Sequence, residues 1–266
     1  MKIVGVCLIK NEELYIKQVI NNIIDFCDEI IILDNMSTDK TVEIIKTIHS
    51  DKITLVSIPT VHSNKYINKY VGTDTWVFGV DGDELYDPNG LRIFRQELET
   101  GKWDNYWRIK PAQINVFNLS IETNKAIGYT NKPPEGLGQP HSPGGTGDKG
   151  GKYACRPCGK FYNFKHIVNQ WPLQCERLHG CKPILNPNVI KSYRINDFET
   201  SSFRFLHLCF IKRSTKNHYT TVKKNNIHHV LSVNPAGLQN KYHCFNYKME
   251  KYTRGKPIEV DTTSFF

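Results

Sequence analysis

The chain has no apolar run long enough to cross a bilayer. The longest, Ile30-Ile31-Ile32-Leu33, has the length of a strand, whereas a spanning helix needs about 20 residues. The N-terminus carries a single Lys2 and goes straight into an alternating strand, with no pattern of a secretory signal. The net charge is +9, yet no basic run of five or more residues marks a nucleic-acid arm. The basic residues are spread along the chain, with local clusters at Lys212-Arg213, Lys216 and Lys223-Lys224. Internal repeats are absent as well. These gaps argue against a membrane-spanning protein and against a nucleic-acid partner. The expectation is a cytoplasmic enzyme with a basic surface suited to phosphates, free to touch a membrane surface peripherally.

What is present is ordinary for a globular protein: 266 residues, 39% apolar and 23% charged. That length supports one substantial core. The eight cysteines are too dispersed for a disulfide framework. Cys155-Arg156-Pro157-Cys158 has the spacing of a zinc knuckle, and Cys175 and Cys181 could complete it, although their gap is wide. Reduced, unliganded thiols are the expectation.

Residues 2–9 form a mostly apolar, β-branched run, as a buried parallel strand should. Asn11-Glu12-Glu13 then reads as a turn and helix start, followed by apolar residues at helical spacing from Leu14 to Ile24. A second strand over Ile30–Leu33, a helix over Thr41–His49, a third strand over Ile53–Ile58 and a fourth over Trp76–Val80 follow. This alternation predicts an open, mainly parallel sheet flanked by helices, an α/β fold. Ligands of such sheets bind beyond the carboxyl ends of the strands. Three polar clusters sit at those ends: Asn11-Glu12, Asp34 to Asp39, and Asp81-Gly82-Asp83-Glu84. They should converge in space.

Asp81-Gly82-Asp83 is the sharpest of the three. Two carboxylates flanking a residue without a side chain, at a strand end, offer hard oxygen ligands to Mg2+ or Mn2+. The competing reading is a solvated Asp-Gly turn. For Asp34 and Asp39 it is helix capping and loop hydrogen bonding.

Val6 to Glu13, Asp28 to Asp34, Ser37 to Thr41 and Trp76 to Glu84 resemble family 2 glycosyltransferases with the GT-A fold. The resemblance covers about residues 1–90, with the motifs in the right order. It implies an inverting transfer from a nucleotide diphospho-sugar to an acceptor hydroxyl, dependent on Mn2+ or Mg2+. By the same resemblance the end of the first strand (Asn11, Glu12) and the Asp34–Asp39 loop hold base and ribose. Asp81 lies near the ribose or metal, and Asp83 binds the metal directly. Asn35-Met36 departs from the common pattern.

Further along, Leu206-His207-Leu208 and then Lys212-Arg213 are similar to a late strand whose histidine completes the metal shell and whose following basic residue meets the diphosphate. His207 could equally be a satisfied core histidine. Inversion needs a carboxylate base. Gln174-Cys175-Glu176-Arg177 resembles the step that supplies it, making Glu176 the first choice and Asp197 and Glu199 the reserve.

The expected organisation is a GT-A-type domain over 1–233, with a nucleotide-sugar half at 1–102 and an irregular acceptor half at 103–233. A Gly/Pro-rich loop at 133–152 lies within the second half, and 234–266 forms a C-terminal extension. The acceptor, whether carbohydrate, lipid-linked or protein, is not legible. The alternative is a nucleotidyltransferase or sugar-phosphate pyrophosphorylase. That class would want an early Gly-rich phosphate loop ending in a basic residue, and Ile9-Lys10-Asn11-Glu12 offers none.

Overall fold

A computed structural model describes residues 1–58, 64–130, 161–169, 184–189, 192–208, 211–215 and 257–266. Strand β1 (Lys2–Ile9) lies at the centre of the larger sheet. It pairs in parallel with β2 (Glu29–Asp34) on one side and β4 (Thr75–Asp81) on the other. Beyond β2 lies β3 (Ile53–Ser57), again parallel. On the far side of β4, β9 (Phe161–Asn163) runs antiparallel and links to β6 (Arg108–Lys110), which pairs with β10 (Tyr193–Arg194). The order is β10-β6-β9-β4-β1-β2-β3. The expected α/β class, an open and mainly parallel sheet with helices, is what the chain forms.

The central strands are apolar on both faces because both faces are covered. Ile3, Cys7, Ile9, Ile30, Ile32, Trp76, Phe78 and Val80 meet the helices α1 (Ile16–Ile24) and α4 (Pro88–Glu99) on one side. Val4, Val6, Ile31, Leu33 and Val77 face the other side, against Ile58, Ile67, Tyr70, Tyr162 and Phe164. Two shorter helices, α2 (Thr41–Lys46) and α3 (Asn64–Ile67), follow β2 and β3.

A second sheet, not foreseen as such, stands beside the first. Its order is β12-β8-β7-β11-β5, from β5 (Glu84–Tyr86), β7 (Ala112–Ser120), β8 (Lys125–Thr130), β11 (Arg204–His207) and β12 (Ile258–Asp261). Strand β5 starts three residues after β4 ends, so the Asp81-Gly82-Asp83 turn is the hinge between the two sheets. Helix α4 was also missed. Its signals were an Asp-Pro start and apolar spacing at Leu91, Phe94 and Leu98. The Asp87 carboxylate accepts hydrogen bonds from the amides of Asn89 and Gly90, a regular N-cap.

The expected C-terminal extension, 234–266, is described only over 257–266, and there it is built into the fold. β12 pairs with β8, and the Phe265 carbonyl accepts from Asn22 Nδ2 (2.9 Å) and Gln18 Nε2 (3.1 Å) on α1. Asn22 also donates to the Tyr86 carbonyl at 2.8 Å, which explains a buried amide on the otherwise apolar core face of α1. Glu176, the cysteine group Cys155, Cys158, Cys175 and Cys181, and the 133–152 loop lie outside the described residues.

Candidate active site

The parallel strands β1, β2 and β4 end together, and their last residues are in register: Ile9 faces Asp34, and Leu8 faces Asp81. The three polar clusters therefore meet at one edge of the sheet, as expected. Asn11 turns the chain away from β1 with a left-handed backbone (φ 56°), a conformation asparagine tolerates. Its side-chain oxygen accepts from the amides of Thr38 (2.7 Å) and Asp39 (3.4 Å), while its own amide donates to Ser37 Oγ. The loop after β2 is thereby tied to the loop after β1. The Asp34 carboxylate accepts from the Ser37 amide at 3.2 Å through either oxygen and from Ser57 Oγ at 3.4 Å. Asp39 accepts from the Thr41 amide at 3.0 Å and hydroxyl at 2.5 Å, and from Ser214 Oγ at 2.6 Å.

The helix begins later than the sequence suggested. Residues 11–15 form a turn in which Tyr15 and Ile16 donate to the Glu12 carbonyl. This turn leaves the Glu12 side chain directed inward, onto Gly82. A Cβ at position 82 would lie 2.4 Å from Glu12 Cγ. The glycine between the aspartates is thus needed for close approach of Glu12, a reason the sequence alone did not supply.

Arg213 closes the group. Its Nη1 donates to Glu12 Oε1 at 2.9 Å and lies 2.7 Å from Asp83 Oδ2, with all three side chains at 7% exposure or less. Of the basic pair 212–213, the structure turns Arg213 inward and Lys212 outward. Burial raises the Glu12 pKa, the Arg213 guanidinium counters it, and Asp83, Asp81 and Asp39 add to the rise. Glu12 Oε2 has no hydrogen-bond partner among the described residues, so the site holds a buried carboxyl oxygen that a cation or a hydrogen-bonding group could satisfy.

His207 ends β11, directly across from Glu84 in β5. Its Nε2 is 3.6 Å from Asp83 Oδ2, and its Nδ1 is 2.9 Å from Asn115 Oδ1. Asn115 Oδ1 also accepts from Gln113 Nε2, so that oxygen is held as an acceptor, and the His207 Nδ1–H donates to it. Nε2 is then the ring atom that faces Asp83. Asn115 escaped the sequence reading; its only signal was a polar residue between the apolar Ile114 and Val116 of β7. Asp81 is half-buried, and its amide donates to Glu84 Oε2 at 3.0 Å.

Asp83, Asp81 and His207 supply hard oxygen and imidazole donors, the chemistry that suits Mn2+ or Mg2+. Together with the unsatisfied Glu12 oxygen, that donor set fits a divalent cation. Among the described residues, however, no three such side chains already converge on one point, and Arg213 holds Asp83 Oδ2.

The segment after β11 is locked to the first loop. Leu14 donates to the Arg213 carbonyl, and both the amide and hydroxyl of Thr215 donate to Glu13 Oε1. Burial alone would raise the Glu13 pKa, but hydrogen bonds from Thr215, the Lys40 amide and Ser214 outweigh it and hold it at about 2. The reserve bases lie elsewhere. Asp197 accepts from the amides of Glu199 and Thr200, and the Phe198 and Glu199 carbonyls accept from Arg204, at the Asp87 end of β11. His207 is at its opposite end.

The family model described as Glycosyl transferase family 2 matches residues 6–110. Two uncharacterized glycosyltransferases, from Rickettsia typhi (strain ATCC VR-144 / Wilmington) and Rickettsia prowazekii (strain Madrid E), are 36% and 35% identical to this chain over 83 residues. Those stretches are 31% of this chain and 28% of each relative. A crystal structure of glucosyl-3-phosphoglycerate synthase from Mycobacterium tuberculosis, in complex with Mn2+, UDP and glucosyl-3-phosphoglycerate, aligns with 24% identity over 42% of this chain and 44% of that one. Its TM-score is 0.32, too loose a likeness to bear on this site. The resemblance to family 2 glycosyltransferases thus holds over residues 6–110, the segment that holds the end of β1 with β2, β3 and β4 and carries Glu12, Asp81 and Asp83.

Proposed function

We propose that the protein is an inverting glycosyltransferase that moves a sugar from a nucleotide diphospho-sugar to an acceptor hydroxyl, with Mn2+ or Mg2+. The observation that carries this reading is the buried convergence of Glu12, Asp83, His207 and Arg213 at the carboxyl edge of a sheet that matches family 2. That edge is where an α/β sheet takes its ligand.

Asn11 and Asp34, tied together through Ser37, shape the cleft for base and ribose. Asp83 and His207, with Asp81 beside them, would hold the cation. Bound there, the cation would neutralise charge on the leaving diphosphate. The Arg213 guanidinium lies next to the same position and suits phosphate oxygens through paired N–H groups. Asn115 fixes the His207 ring so that Nε2 is the atom offered to the site. For the acceptor proton, Glu176 is the proposed base, since Asp197 and Glu199 lie at the end of β11 away from His207.

The donor half at 1–102 and an acceptor half after it remain the proposed organisation. The donor sugar is read out by incubating the protein with a panel of nucleotide diphospho-sugars with and without manganese. Release of nucleoside diphosphate that needs both manganese and acceptor supports the reading. Incorporation of a nucleotide into a sugar phosphate would point to the nucleotidyltransferase alternative.

A further inference from the structure

We propose that Arg213 is a built-in counter-cation, and that its guanidinium and a divalent ion are alternative partners of Asp83. The identity of the incoming ion rests on the nucleotide-sugar reading above; the competition itself rests on geometry. Nη1 of Arg213 sits between Asp83 Oδ2 (2.7 Å) and Glu12 Oε1 (2.9 Å), with the three side chains sealed from water. Two carboxyl groups share that one guanidinium nitrogen, so Asp83 already has a cationic partner. An ion bound at the same Asp83 oxygen would lie against the guanidinium, and two buried cations at that distance repel strongly. One of them has to leave.

The Arg213 side chain can leave without disturbing its backbone contacts. Its carbonyl accepts from the Leu14 amide, Ser214 Oγ donates to Asp39, and Thr215 donates twice to Glu13. The backbone is therefore pinned at position 213 and at the two residues after it, and the exchange is a rotation of one long side chain. Asp39 and Glu13 belong to the loops that shape the proposed nucleotide cleft, so the pinned backbone keeps Arg213 beside an incoming diphosphate. The displaced guanidinium then gains phosphate oxygens as new partners. Ion and diphosphate thereby favour each other's binding, and that coupling is reciprocal.

The test is manganese affinity in the absence of nucleotide, followed by electron paramagnetic resonance of free Mn2+. Arg213→Met removes the competitor, and Mn2+ should bind about tenfold more tightly or better, a change of roughly 1.4 kcal/mol or more. The double variant Glu12→Gln/Arg213→Met removes one charge of each sign and leaves no lone buried carboxylate at position 12. It keeps the net charge and guards against a folding defect. It too should bind Mn2+ more tightly than the wild type. Affinity equal to or weaker than wild type in the folded variants overturns the proposal. A wild-type protein that binds no nucleoside diphosphate with manganese present would instead sink the glycosyltransferase reading, and leaves the manganese comparison to stand by itself.

Discussion

Glu12 lies across Gly82 so closely that a methyl group at position 82 would come within 2.4 Å of Glu12 Cγ. This contact joins the end of β1 to the turn between the two sheets and brings Glu12 within reach of Arg213. Because the clashing atom is in the middle of a buried side chain, it has little room to move. Gly82→Ala should cost about 1–3 kcal/mol, the usual scale for overpacking. It should also separate Glu12 from Arg213. Urea denaturation and nucleoside diphosphate binding check the two halves; an unchanged midpoint would mean that Glu12 yields freely.

Asp87 does two things at once: it caps α4 and receives Arg204 Nε (2.9 Å) and Nη2 (2.7 Å) on one oxygen. Asp87→Ala removes the cap and leaves the half-buried guanidinium without its carboxylate. The expected loss is about 3 kcal/mol in unfolding free energy. Equilibrium unfolding in urea measures it directly, and a loss under about 0.5 kcal/mol would assign the pair no more weight than a surface contact.

Asn115 is expected to act through His207. Asn115→Leu removes the acceptor that keeps the His207 proton on Nδ1, and manganese affinity should fall about 10- to 100-fold, as for other partners of metal-binding histidines. His207→Ala should weaken binding at least as much. If Asn115→Leu binds Mn2+ like the wild type while His207→Ala does not, the orientation argument fails. If neither changes it, His207 is a core residue.

Glu13 gives an acid-sensitive joint. Its folded pKa of about 2 lies below the ordinary glutamate value of about 4.3. A depressed carboxylate stabilises the fold above its unfolded pKa and loses that contribution as pH falls toward its folded one. The wild type should therefore lose stability between about pH 4.3 and 2, and Glu13→Gln should show a shallower decline in that window. Parallel curves for the two proteins would show that Glu13 does not hold the 213–215 segment in solution.

Much of this fold could be read from the chain because its central strands are buried on both faces. Runs such as Ile30-Ile31-Ile32-Leu33 have no solvent face and so declare themselves as parallel strands. Their ends were equally plain, since Asp34 and Asp81 break apolar runs abruptly. The second sheet was harder. β5 is three residues long, and β11 and β12 four each, too short to show a period. Its partners are also far apart in sequence, as when β12 adds to β8. Within the site, the inward carboxylates were legible from position, but the role of Gly82 was not. It depends on where the Glu12 side chain lies, which is set by the turn at residues 11–15 and not by local propensity. The choice between Lys212 and Arg213 likewise follows from the backbone bond of Leu14 to the Arg213 carbonyl, 199 positions away along the chain.

The account as a whole turns on Asp83. Calorimetric titration of nucleotide diphospho-sugars into the wild type and Asp83→Ala, with and without Mn2+, tests it most directly. The predicted result is manganese-dependent binding of at least one nucleotide diphospho-sugar by the wild type, lost in a folded Asp83→Ala protein along with sugar transfer. Manganese-dependent binding and turnover that persist undiminished in Asp83→Ala would contradict it.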